Sequence, residues 1–270
     1  MLNVHVVDTS KVDWYPLPAS FGQKVKLVLD SHQTGGPEGT YSFRPNGHSA
    51  PHYHYTAQYQ VVMQGKATFP RHELPAVSVH YTDHQVPYGP FTCSGDYHHF
   101  VLHATPGGQI SMSDPEARKR INRQGRERYG TIGESGWGPR SKADGVRQQV
   151  LFQEASGVGA EAFELAPGAE LAITASEYGR YEIVTRGSVM VSGTELGRLG
   201  LRFVSGNGEP APVRAGPEGA TLLVLHYDQD ATGRHGGDMT RHLVRSIEQA
   251  KARQTCAMAY DQPTLKQEVP

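Results

Sequence analysis

Cysteine and tryptophan are scarce in this chain: among 270 residues there are two of each. Two thiols, Cys93 and Cys256, are too few for a disulfide framework. That excludes the small stapled domains of secreted proteins and leads us to expect a reducing, cytoplasmic setting. An excess of charge of either sign is missing as well. The 26 basic and 27 acidic side chains leave a formal net charge of −1, so there is no electrostatic footprint for nucleic acid or an anionic membrane. No apolar run approaches the length of a membrane span. Residues 1–11 show no apolar stretch behind a basic start, so no signal peptide is expected. What remains is expected to be a soluble protein with small-molecule partners.

Glycine and proline are plentiful, at 31 and 18 residues. They punctuate short runs rich in β-branched and aromatic residues, such as 24–29, 58–63 and 98–104. Short strands at regular spacing argue a sandwich or barrel. The chain also repeats itself. Residues 59–67 align with 181–189 at an offset of 122, which brings Gly65 onto Gly187. Further on, residues 104–108 align with 215–219 at an offset of 111, which implies an 11-residue insertion in the first half around residues 70–89, a stretch that holds His72, His80 and His84. Residues 114–145, with a basic run at 115–123 readable as one helix and glycines after it, read as a connection. The expected units are therefore a first barrel over 1–113, a linker over 114–145, a second barrel over 146–228 and a tail over 229–270 that carries a helix at 238–257.

One motif carries chemistry. His52 and His54 stand one residue apart in a predicted strand, so both rings lie on one face, about 6.6 Å apart along the strand. Two such imidazoles are half of a metal site. Gly47 precedes them, and Gln58 and Gly65 follow. A second segment places His98 three residues after Gly95. These residues resemble the two signatures of the cupin superfamily. In the first, this chain has one residue fewer after the opening glycine and Gln58 in place of the usual glutamate; in the second, Cys93 stands at the usual proline and Leu102 at the usual asparagine.

The resemblance implies an all-β fold of two tandem cupin barrels, each a jelly roll (double-stranded β-helix). It implies His52, His54 and His98 as ligands of one divalent transition metal, iron(II) foremost, with nickel, manganese, copper or zinc as alternatives. Gln58 becomes a weak fourth ligand or a group that orients substrate. Three-histidine cupins without a carboxylate ligand often act as dioxygenases. The expected function is therefore oxidation by O2 of a small aromatic, enol or diketone compound. The alternatives are a metal-dependent isomerase, lyase or decarboxylase, and a non-catalytic ligand-binding cupin. Strand alternation turns His99 and His103 away from the cavity and turns Phe100, Leu102, Tyr41 and Phe43 toward it; Tyr53 and Tyr97 face outward. In the second half, the positions of His52, His54, Gln58 and His98 become Thr174, Ser176, Arg180 and Glu209. That set is no ligand group. The second barrel is expected to lack a metal and to serve as scaffold or as a homodimer contact.

Overall fold

The computed structural model describes residues 2–17, 22–31, 36–106, 108–133, 136–139, 144–174, 176–206 and 209–232. The helix expected over 238–257 lies outside the described residues. The first half supplies β1 (Asn3–Asp8), β2 (Tyr15–Pro16), β3 (Lys24–Leu29), β4 (Glu38–Phe43), β5 (His48–Ser49), β6 (His52–His54), β7 (Gln58–Gln64), β8 (Lys66–Thr68), β9 (Glu73–Pro75), β10 (Ser78–Thr82), β11 (Phe91–Cys93), β12 (His98–His103) and β13 (Gln109–Ser111). The second supplies β14 (Glu127–Thr131), β15 (Gly138–Pro139), β16 (Val146–Gln153), β17 (Gly159–Leu165), β18 (Glu170–Leu171), β19 (Arg180–Val191), β20 (Thr194–Leu196), β21 (Gly200–Ser205) and β22 (Val213–His226).

The strands form two antiparallel barrels. The first has a sheet in the order β14-β10-β7-β12-β4-β3-β2. It is closed on its inner side by the sheet β5-β11-β8-β9 and the ribbon β13-β6, with Val62, Ala67, Phe69, Leu74, Tyr88, Phe91, Cys93 and Tyr97 packed between the layers. The second barrel has the order β1-β21-β19-β22-β17-β16-β15, with β18 beside β22 and β20 beside β19. Two strands cross the expected boundaries. β1 pairs with β21 of the second barrel, and β14, inside the expected linker, pairs with β10 of the first. The basic run yields a 3-10 turn over Ala117–Arg120 in place of a longer helix. Among the described residues no helix is long and apolar enough to cross a membrane.

The outer faces of the two large sheets meet in one apolar core. Tyr59, Val61, Met63, Tyr81, Phe100 and Leu102 pack with Tyr181, Ile183, Leu201, Phe203, Leu223 and Leu225. This corrects the expected lining: Phe100, Leu102 and Tyr41 belong to the contact between barrels and not to a cavity. Tyr53 and Tyr97, expected to face outward, are both buried; the Tyr53 hydroxyl donates to the Ala117 carbonyl.

The repeat also runs truer than the sequence indicated. Gln58 pairs with Thr82 and His103, and Arg180 pairs with Val204 and His226. The 122-residue offset therefore holds within one residue through all three strands, and the 11-residue insertion is not present. Glu209 is thus not the counterpart of His98. The turn glycines Gly65 and Gly187 both adopt φ +70°, and a Cβ there would meet Ser94 and Gly219 respectively at overlapping distance. Only glycine satisfies both conditions.

A candidate metal centre in the first barrel

Pairing register decides which side chains enter the barrel, because directly opposed residues share a face. Gln58 opposes His103 and Thr82; Gln60 opposes His80; His103 opposes Glu38. These side chains face the inner layer, into which β6 brings His52 and His54. The ring centres of His52 and His54 are 5.3 Å apart, and those of His54 and His103 are 5.2 Å apart. His98 is elsewhere. Its ring lies against Phe43 at 4.7 Å, Tyr41 at 5.7 Å and Trp14 at 5.9 Å, on the opposite face of the sheet. His103, not His98, therefore stands beside the pair, and the phase assigned to this strand is reversed: His99 and His103 point in, while His98 points out. A bulge between His98 and His99 in the pairing with β7 marks the start of the regular stretch.

The tautomers of this cluster are set by the main chain. His52 Nδ1 donates to the Ala50 carbonyl at 2.8 Å, and His103 Nδ1 donates to the Ala57 carbonyl at 3.2 Å, with Thr56 Oγ1 at 3.1 Å. Each ring is left with an unprotonated Nε2, the form that ligates metals. His54 Nε2 lies 3.3 Å from the Tyr88 hydroxyl, and its Nδ1 is buried without a partner. Burial keeps these rings neutral. Desolvation holds His103 down to about 4 and His99 to about 3. It also lowers His52, and it lowers His54 well below the ordinary range, with His103 and His52 nearby adding repulsion. His80 is lowered by burial against the opposing pull of Glu127.

A pH dependence of stability follows. The folded chain keeps His103 and His99 neutral down to about 4 and 3, whereas unfolded histidines protonate near 6.5. Between those limits the unfolded state binds more protons, so stability is complete above pH 6.5 and falls as the pH is lowered. The slope is about 1.4 kcal/mol per pH unit for each such histidine. Urea midpoints at pH 7 and pH 5 check this; equal midpoints would refute the burial of neutral imidazoles.

Neutral imidazoles are the donor type that divalent transition ions take, and two pairs of them are suitably spaced. Imidazoles sharing one ion, with bonds of about 2.1 Å, have ring centres about 5 Å apart, close to both observed spacings. Among the described residues no group of three His, Cys, Asp or Glu side chains is placed to hold a metal ion; His54 is the common neighbour of the two pairs. Gln58 is fully buried and neither of its amide atoms has a hydrogen-bond partner. Its amide nevertheless lies against the Tyr88 hydroxyl and favours the ionised phenol by hydrogen bonding, in geometry looser than an ordinary bond.

Tyr88, which sequence reasoning passed over, joins this cluster to the outside. Its ring lies 4.4 Å from His52 and 4.9 Å from His80, and its hydroxyl accepts from Gln60 Nε2 at 2.8 Å. His80 Nδ1 lies 3.2 Å from Gln60 Oε1, and its Nε2 lies 3.1 Å from Glu127. Tyr88 and Glu127 also line a cleft of about 360 Å3 with Phe69, Arg71, His72 and Tyr129. Of the histidines in the supposed insertion, His80 is the one that enters the barrel.

The second barrel answers this cluster with ions. By register, Arg180, Glu182, Arg202 and His226 replace Gln58, Gln60, His80 and His103. Glu182 binds Arg180 Nε at 2.9 Å and Arg202 Nε at 2.7 Å, and the guanidinium groups also reach the carbonyls of Ile173, Thr174 and Ala211. The guanidinium donors are consumed inside the barrel.

No known protein-family profile and no curated protein matches the sequence. Solved structures do match in fold. A provisionally assigned dioxygenase from Nostoc punctiforme superposes with TM-score 0.63 at 11% identity, covering 87% of this chain and 88% of that one. The pirin YhhW of Escherichia coli, in complex with nickel(II), gives 0.56 at 8% identity over 84% and 99%. Oxalate decarboxylase from Lactobacillus farciminis, as a formate complex, gives 0.55 at 9% identity over 92% and 92%. The likeness is one of fold: two antiparallel β-barrels in one chain.

Proposed function

We propose that this chain is a metal-dependent cupin oxidoreductase. In this reading His52, His54 and His103 hold one divalent transition ion, iron(II) foremost, and the substrate is a small aromatic, enol or diketone compound that reacts with O2. The observation that carries the reading is the spacing of about 5 Å between the rings of His52 and His54 and of His54 and His103, all three held neutral by burial. The ion, when bound, supplies Lewis acidity and a meeting point for substrate oxygens and O2. Three neutral ligands leave its double charge uncompensated, which favours an anionic chelating substrate such as an enolate.

The chain's own residues do the rest. The main-chain carbonyls of Ala50 and Ala57 hold two rings in the ligating tautomer. Gln58 and Tyr88 present polar atoms to a substrate oxygen. Phe69, Tyr88 and Tyr129 give the cleft aromatic walls that suit a flat substrate, with Arg71 at the rim for a negative group.

The test is metal analysis of protein purified without added metal, followed by oxygen uptake with a panel of diketones and catechols. Near-stoichiometric iron and uptake on at least one compound are expected. Bound metal with substrate turnover but no oxygen consumption would favour the isomerase, lyase or decarboxylase chemistry instead. Absence of metal under every loading condition would end the proposal.

A further inference from the structure

The outer faces of the barrels carry two tyrosines related by the repeat, and each reaches across into the other barrel. The Tyr59 hydroxyl, from β7, shares its one proton between the carbonyls of His226 at 2.7 Å and Gly159 at 2.9 Å. The Tyr181 hydroxyl, from β19, shares its one proton between the carbonyls of His103 at 2.7 Å and Glu38 at 3.0 Å. The correspondence is complete. Tyr181 lies 122 residues after Tyr59. Glu38 opposes His103 at the end of one strand pair, and Gly159 opposes His226 at the end of the other. Both phenols are fully buried. One member of this symmetric pair grips a strand end in the ion-filled barrel. The other grips the residue that brings the third imidazole to the candidate metal centre. Tyr227 adds a second hold, donating to the Leu102 carbonyl at 2.7 Å.

We propose that Tyr181 is a positioning residue for the metal centre: by tying the ends of β4 and β12 together from the second barrel, it holds His103 beside His54. This rests on the reading of His103 as a ligand given above. The consequence is that the second barrel is a working part of the site and not a passive scaffold. A phenol oxygen within hydrogen-bond distance of both strand ends fixes the one ligand strand that does not belong to the short β6 ribbon. Without it, the last residue of β12 loses its outer anchor and the His103 ring loses its register with His54.

The symmetry provides its own control. Tyr181→Phe and Tyr59→Phe remove equivalent bonds of equal burial, and they differ in which barrel they release. Metal affinity is read by chelator competition with iron(II) or cobalt(II) on the full chain, alongside the visible spectrum of the cobalt form. Tyr181→Phe is expected to weaken metal binding about 10–100-fold, the range for lost supporting bonds behind a ligand, and to change the cobalt spectrum. Tyr59→Phe is expected to lower the melting temperature to a similar degree while its affinity stays within about twofold of wild type. Equal affinity losses in the two variants, or an unchanged Tyr181→Phe, would overturn the proposal and leave the metal centre standing. A wild-type chain that binds no metal would instead remove the reading beneath it. If Tyr181→Phe fails to fold, Tyr227→Phe carries the test: a smaller affinity loss supports the proposal, and no loss overturns it.

Discussion

Glu182→Ala is expected to destabilise the protein by ~3–5 kcal/mol, the loss typical of breaking a buried ion pair from one side. Glu182 is 2% exposed and holds two guanidinium groups, one on each carboxylate oxygen. Its removal leaves Arg180 and Arg202 charged, buried and facing each other across the space that the carboxylate filled. Their bonds to the carbonyls of Ile173, Thr174 and Ala211 remain, but they do not neutralise two positive charges. Against a usual total of about 5–15 kcal/mol, the loss is a large fraction of the stability. Urea titration followed by circular dichroism measures it; a loss below ~1 kcal/mol would show that water or chain relaxation reaches the cluster. Replacing Arg180, Glu182 and Arg202 together with apolar residues of similar volume is expected to restore most of the stability, because such a triad contributes little beyond its own desolvation. The surrounding interior is already apolar, with Phe163, Ile173, Val184, Leu222 and Val224 in one cluster.

The second large effect concerns the ligands. His103→Ala is expected to take metal content from near-stoichiometric to background, while His98→Ala keeps it. The two residues sit on one strand and differ in face. His103 stands 5.2 Å, ring to ring, from His54, and His98 stacks on Phe43 and Tyr41. His98→Ala removes packing on the far side of the sheet, so its effect belongs to stability. Metal analysis of both variants after identical loading decides the matter. Retained metal in His103→Ala, or loss in His98→Ala with the fold intact, would return the third ligand to His98 and contradict the register argument.

Much of this molecule is legible in the linear chain. The punctuation by glycine and proline, the 59–67 repeat at 181–189 and the His52/His54 pair point to two all-β barrels with two imidazoles side by side in the first. Strand alternation relates neighbours within one segment, and that local rule put His52 and His54 together correctly. It carries no absolute phase. In the run His98 to His103 it separates His98 from the pair His99 and His103, yet it does not say which set faces in. That depends on which of two partner surfaces covers each side of the sheet, and here the second barrel covers the side of Phe100 and Leu102. Tyr88, His80 and Glu127 were hidden for a related reason: they come from three separate segments, and long-range pairing alone brings them to His54. Composition and local periodicity are properties of neighbours along the chain, so they settle fold class and the HxH pair. The choice of His103, the ion cluster at Arg180 and the crossed tyrosines are properties of packing between distant strands, and they exist only once the barrels have closed on each other.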